Sequence, residues 1–355
     1  MNWLLIFVPV AIGVHFFAPA SHSLVFLLSC LAIIPLAGWL GHATEELSKR
    51  TGEGVGGLLN ATFGNAAELI IALAALREGL YPVVKASLTG SIIGNVLLVF
   101  GASVLAGGFK YKSQRFNATG AQAQSTLLTL AAIALVMPAG FHAVAGPGGF
   151  NREDNLSLAI ALVLLAAYSA HLVFSLVTHR QLFAGEAQPE HQPEWTMRKA
   201  LLVLAGSTAL IAWISEILVG SVEATAESLG MTRIFLGVIV VAIVGNAAEH
   251  STAVMMALKN KMEISLGIAI GSSLQIALFV APLLVIASHF IGPRPMDLVF
   301  SPAEVLAVFV AVLITGQIAA DGESNWLEGA QLLAVYLILV MVFFFLPESQ
   351  QPATR

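Results

Sequence analysis

"GNAAE" at Gly64–Glu68 returns unchanged at Gly245–Glu249. The two copies stand 181 residues apart, and the same offset relates Ala72 to Ala253, Gly90–Ser91 to Gly271–Ser272, and Glu46 to Glu227. Aligned without gaps, residues 64–101 and 245–282 agree at 10 of 38 positions. The chain therefore contains an internal repeat, and its architecture follows from what each unit is made of.

Each unit is made of lipid-soluble helix. Of 355 residues 57% are hydrophobic and only 10% charged, with a mean hydropathy of +0.87, whereas soluble domains carry about 25% charged residues. This composition implies an all-α integral membrane protein. The net charge of -5 is scattered, and with no basic run the chain has no means of gripping nucleic acid. The single cysteine, Cys30, lies in an apolar run and forms no internal disulfide.

Crossing the hydrocarbon takes roughly 20 apolar residues in a helix. Eleven spans are expected, at 3–17, 22–42, 55–76, 83–107, 122–140, 156–178, 200–219, 234–258, 262–290, 299–318 and 328–346. The alternation that marks a membrane barrel is absent. Ala18–Ala20 reads "APA", like a cleavage site, but no Lys or Arg precedes the first apolar run, so an uncleaved helix is expected.

Between Thr178 and Lys199 runs the longest polar stretch, containing "GEAQPEHQPEW". It reads as a solvated linker, or as an acidic regulatory element through Glu186, Glu190 and Glu194. The expected organisation is a leading helix (1–20), a first five-helix repeat (21–178), the linker (179–199), a second five-helix repeat (200–346) and a tail (347–355). An odd number of crossings per unit inverts the second relative to the first. Inverted repeats are an architecture of secondary transporters, with the ion site at the repeat interface near the bilayer midplane. Loops after even-numbered spans carry ten Lys and Arg against six on the other side, which predicts a cytoplasmic N-terminus and an outside C-terminus.

The motif residues suit such a site. Asn65 and Glu68 are three apart, as are Asn246 and Glu249, so on a helix each pair shares a face. Two inward carboxylates would supply hard oxygen ligands and a charge that matches Ca2+ or another hard divalent cation. A charge at the centre of a membrane helix costs about 2.5–3.5 kcal/mol on insertion scales, so a matched pair implies function. Gly64 and Gly245 fit either close helix packing or a break that frees backbone carbonyls. Ser91, Asn95, Ser272 and Gln275, on the spans after each motif, would line the same cavity or bond between helices. His250 follows Glu249 where the first copy has Leu69; as an i+1 neighbour it fits proton handling better than direct ligation. Glu46 and Glu227, related by the repeat, would form part of a proton route.

"GLLNATFGNAAELIIA" (Gly57–Ala72) and "GNAAEHSTAVMMALKNKMEISLGIAIGSSLQIALFV" (Gly245–Val280) resemble the two signature repeats of the calcium (cation)/proton antiporters, a branch of the cation/calcium exchanger superfamily. The likeness covers nearly the whole chain in span count, linker position and both motifs. It implies that Glu68 and Glu249 are central ligands alternately holding Ca2+ and protons, helped by Asn65 and Asn246, and that His250, Ser272 and Gln275 matter for transport. Relatives often carry proline ahead of the second motif, where this chain has Ala242.

The expected function is thus antiport of Ca2+ against H+, with no cofactor, in a prokaryotic inner (plasma) membrane. Mn2+, Mg2+, Cd2+ and Na+ also accept oxygen donors of this kind. A sodium/calcium exchanger, which would want further sodium ligands, and a cation channel with acidic rings are the alternatives. An intramembrane enzyme is not expected, because H-E-x-x-H is missing.

Overall fold

The computed structural model describes residues 2–51, 53–145, 150–179, 182 and 193–347. Among these, eight helices are long and apolar enough to cross a membrane: His22–Thr51 (α2), Tyr81–Lys110 (α5), Ala118–Ala145 (α6), Arg152–Thr178 (α7), Met197–Leu229 (α8), Arg233–Leu258 (α9), Met262–Ala287 (α10) and Trp326–Phe345 (α12). Two shorter apolar helices, Trp3–Phe17 (α1) and Pro302–Ile318 (α11), accompany them. The fold is all-α and membrane-embedded, apart from a two-residue antiparallel ribbon pairing Gln114 with Ser324 and Arg115 with Glu323.

The expected span 55–76 is two helices, Glu53–Phe63 (α3) and Ala66–Arg77 (α4), broken at Gly64–Asn65. Its repeat mate α9 runs through Gly245 without a break. It instead carries a wider π-type turn at Leu236–Val241, ending just before Ala242. That turn supplies irregularity without a proline. Similar turns lie at Gly94–Val99 in α5 and Ile276–Val280 in α10, nearly coincident under the repeat offset. Such turns inside helices are frequent at functional sites.

Helix ends follow local chemistry. Ser301 and Glu304 form a reciprocal capping box that starts α11 with Pro302 behind the cap, and Asn325 with Glu328 does the same for α12. Thr196 caps α8, and Gly230 ends it in the left-handed conformation at φ 63°. Helices extend beyond the apolar runs: α2 continues to Thr51 through last turns that carry Glu45, Glu46, Lys49 and Arg50. Lys85 sits inside α5, where its amine donates to Asp297 Oδ1 at 2.5 Å and Val299 O at 2.8 Å. Of the linker, Glu194 and its neighbours from 193 onward are described; Glu186 and Glu190 lie outside the described residues.

Two hydrophobic packs divide the interior. One gathers α1, α2 and α8 through residues such as Ile33, Leu40, Ile214 and Leu218. The other gathers most of α5 to α7 and α10 to α12 around Phe100, Leu128, Leu164 and Leu284. The motif helices contribute to both, α4 through Ile71 and Ala75, α9 through Val244 and Ala253. Both GNAAE copies therefore lie on the seam.

Candidate cation site

At the seam the two motifs interlock. A Cβ on Gly245 would stand 3.2 Å from Glu68 Cγ and 3.3 Å from its Oε1, while one on Gly64 would stand 3.7 Å from Glu249 Oε1. Each motif's glycine thus lies against the other motif's carboxylate: a Cβ on Gly245 would crowd Glu68, while one on Gly64 would meet Glu249 at ordinary contact distance. Glu68 occupies the first turn of α4, created by the break at Gly64–Asn65, where a helix N-terminus favours negative charge.

The hydrogen bonds separate the two halves. Asn65 Nδ2 donates to Gln275 Oε1, which turns the amide oxygen of Asn65 away from that contact. Among the described residues, Asn65 Oδ1 and Glu68 Oε2 are buried without a donor. Buried polar atoms left this way cost about 1–3 kcal/mol each, so the pair fits a site whose missing partner is a cation or a proton. Ser272 Oγ donates to Glu249 Oε2.

Asn246 is held differently. Its Nδ2 donates to Ala242 O at 2.9 Å and Ser91 Oγ at 3.0 Å, and its Oδ1 accepts from Asn95 Nδ2 at 3.4 Å. Because a backbone carbonyl only accepts, the polarity of this chain is determined from Ala242 onward. Asn95 Oδ1 must then accept from His250 Nε2, 3.2 Å away, so that nitrogen carries the proton. The repeat predicts equivalent roles for Asn65 and Asn246; the structure leaves Asn65 Oδ1 open and gives Asn246 Oδ1 a partner.

Glu46 and Glu227 are not brought to the site. Glu46, fully buried near the end of α2, accepts from Lys49 Nζ at 2.9 Å and from Trp195 N at 2.7 Å. Glu227 is exposed near the end of α8. Trp195 itself escaped the sequence reading: its ring meets His42 edge-on at 4.6 Å and lies under Lys199 Nζ at 4.2 Å, and its carbonyl accepts from Arg50. An aromatic residue inside a polar linker was the available signal. Among the described residues no three His, Cys, Asp or Glu side chains gather to hold a metal. A cation here would rest on two carboxylates completed by amide, hydroxyl and water oxygens, as Ca2+ accepts.

The family model for sodium/calcium exchanger proteins matches residues 21–177 and 199–345. The chain belongs to that family. This exchanger-family chain is 47% identical over 362 residues to the Ca2+/H+ antiporter of Aphanothece halophytica, covering 97% of this chain and 96% of the relative. It is 50% identical over 329 residues to the Ca2+/H+ antiporter ChaA of Bacillus subtilis, covering 91% and 93%. Among solved structures, native YfkE superposes with a TM-score of 0.83 at 44% identity, over 97% of this exchanger-family chain and 100% of that one.

Proposed function

We propose that this protein is a secondary active transporter that exchanges Ca2+ for H+ by alternating access, with Glu68 and Glu249 binding the two competitively. The observation that carries the reading is the interlock, in which each GNAAE glycine packs on the other copy's carboxylate beside two buried oxygens without donors. Relatives that are themselves Ca2+/H+ antiporters, alike over nearly their whole length, supply the substrate pair.

In this reading α1 leads, and α2–α7 and α8–α12 are two inverted units of five crossings, with α3 and α4 together making one broken crossing. The family match to each half supports the division at 21–178 and 200–346, joined by 179–199 and followed by the tail 347–355. The N-terminus is cytoplasmic. In support, basic segments expected inside adjoin one another, with Lys110 Nζ donating to Leu258 O. The membrane is a prokaryotic inner membrane.

Ca2+ takes Glu68, Glu249 and Asn65 Oδ1 as ligands, with Asn246 behind them and water completing the shell. Ser272 orients Glu249, Gln275 orients Asn65, and the line of Ser91, Asn246, Asn95 and His250 holds the second motif in place. Protons arriving on the other side neutralise the same carboxylates and release the metal. An empty doubly ionised site is too costly to expose to a low dielectric, so access switches only when the site is loaded. Two protons per Ca2+ make the exchange electroneutral; each further proton couples it to voltage by about 2.3 kcal/mol per 100 mV. Inward proton flow would drive Ca2+ out of the cytoplasm.

The deciding experiment is 45Ca2+ uptake into proteoliposomes under an imposed pH gradient, comparing the parent with Glu68→Gln and Glu249→Gln. The gradient alone should drive uptake in the parent and in neither variant. Uptake surviving in both variants would remove the ligand assignment, and uptake driven by sodium but indifferent to pH would remove the proton.

A further inference from the structure

The two motif helices make unequal contacts with the helices around them. α9 is sealed on α5: a Cβ on Gly237 would stand 2.7 Å from Ala86 Cβ and 3.1 Å from Val83 O, and one on Gly90 would come within 2.6 Å of Val238 Cα. Helices approach this closely only through glycine and other small residues. The repeat offset carries Gly237, Val238, Ala86 and Gly90 onto Gly56, Gly57, Gly267 and Gly271. Those four glycines do not meet. Gly56 rests on Ser48, whose hydroxyl donates to Gly56 O at 2.9 Å, and Gly57 rests on Leu176 of α7. Beyond the backbone of α10 itself, no described atom comes within 4 Å of a Cβ built on Gly267 or Gly271. Glu249 and His250 are partly exposed, while Glu68 is buried.

We propose that Gly267 and Gly271 are the seat of a second gate, onto which α3 closes through Gly56 and Gly57 in the opposite access state. In that state α3 leaves Ser48 and Leu176, and the α9–α5 contact parts. Inverted repeats make the two closures equivalent, so the contact formed in one half predicts the contact missing in the other. The inference rests on the exchange reading above and extends it to residues that touch no cargo. With a cytoplasmic N-terminus, the side open here faces the cytoplasm, and the empty glycine seat is used only when the site faces out.

Gly267→Val tests this directly, because its side chain meets nothing in the observed state. The variant should bind 45Ca2+ in detergent and melt like the parent, while proton-driven uptake falls at least about tenfold because the opposite state is blocked. Gly206→Val, at an exposed helical glycine with the same empty surroundings, should transport like the parent. In a Cys30→Ser background, Gly56→Cys with Gly267→Cys should form a disulfide on oxidation that stops uptake until reduced. Parent-level uptake by Gly267→Val, or a cysteine pair that transports yet never cross-links, would overturn the gate. Should Gly267→Val fail to fold, the cysteine pair decides alone. A parent with no proton-driven uptake would instead overturn the exchange reading itself.

Discussion

Replacing Gln275 with methionine should weaken Ca2+ binding without slowing the transport cycle. Gln275 Oε1 accepts from Asn65 Nδ2, and that bond aims the donor-free Oδ1 of Asn65 at the site. Methionine keeps the length of the side chain and removes the acceptor. The lost bond is worth about 0.5–1.5 kcal/mol, and leaving a buried amide donor unmet costs about 1–3 kcal/mol. The amide can recover part of this by turning over, which presents its NH2 group where an oxygen ligand is needed. At about 1.4 kcal/mol per factor of ten, half-saturating Ca2+ should rise roughly tenfold, with about 100-fold as the upper bound. Initial 45Ca2+ uptake rates in proteoliposomes across a range of Ca2+ concentrations measure this, and the maximal rate should stay within about twofold of the parent because the carboxylates are untouched. A folded Gln275→Met protein with unchanged half-saturation would refute the claim that Gln275 orients Asn65. A collapse of the maximal rate alone would refute it equally, since orientation of a ligand acts on binding.

Raising pH on the loading side should lower half-saturating Ca2+, by up to about tenfold per unit for each proton displaced, because protons and metal share the same oxygens; a half-saturation indifferent to pH would separate the proton site from the metal site. Glu46→Gln should transport at near-parental rates, since this carboxylate is tied to Lys49 and Trp195 at the end of α2, away from the site; loss of proton-driven uptake would reinstate it in a proton route. Tyr81→Phe should destabilise the fold by about 1–3 kcal/mol, read as a lower unfolding midpoint in detergent, because the Tyr81 hydroxyl donates to Arg294 O at 2.6 Å and accepts from Arg294 N at 2.9 Å.

The helices and the meeting of the two motifs were legible because lipid permits so few alternatives: apolar runs must be helical, and matched intramembrane acids must face each other. The difference between the motifs was not. The same five letters sit at a helix break in one half and inside a continuous helix in the other, because the partners differ: Gln275 takes the amide of Asn65, while Ser91 and Ala242 take that of Asn246. Glu46 and Glu227 differ from one another as well. Their match under the repeat carries no information about depth in the membrane, and their surroundings diverge, one covered by Trp195 from 149 residues away and the other exposed. The π-type turns in α5, α9 and α10 left no mark in the hydrophobic pattern, since an extra residue in one turn barely shifts which side chains face lipid.

The contacts around Trp195 have a consequence for how this protein can change over time. Glu46, Arg50, His42 and Lys199 hold that one residue from four directions, two positions ahead of the first turn of α8. The starting point of the second half is thereby set at the tryptophan rather than by the length of chain leading up to it. An insertion or deletion ahead of Trp195 therefore leaves the register of α8 and the helices after it untouched.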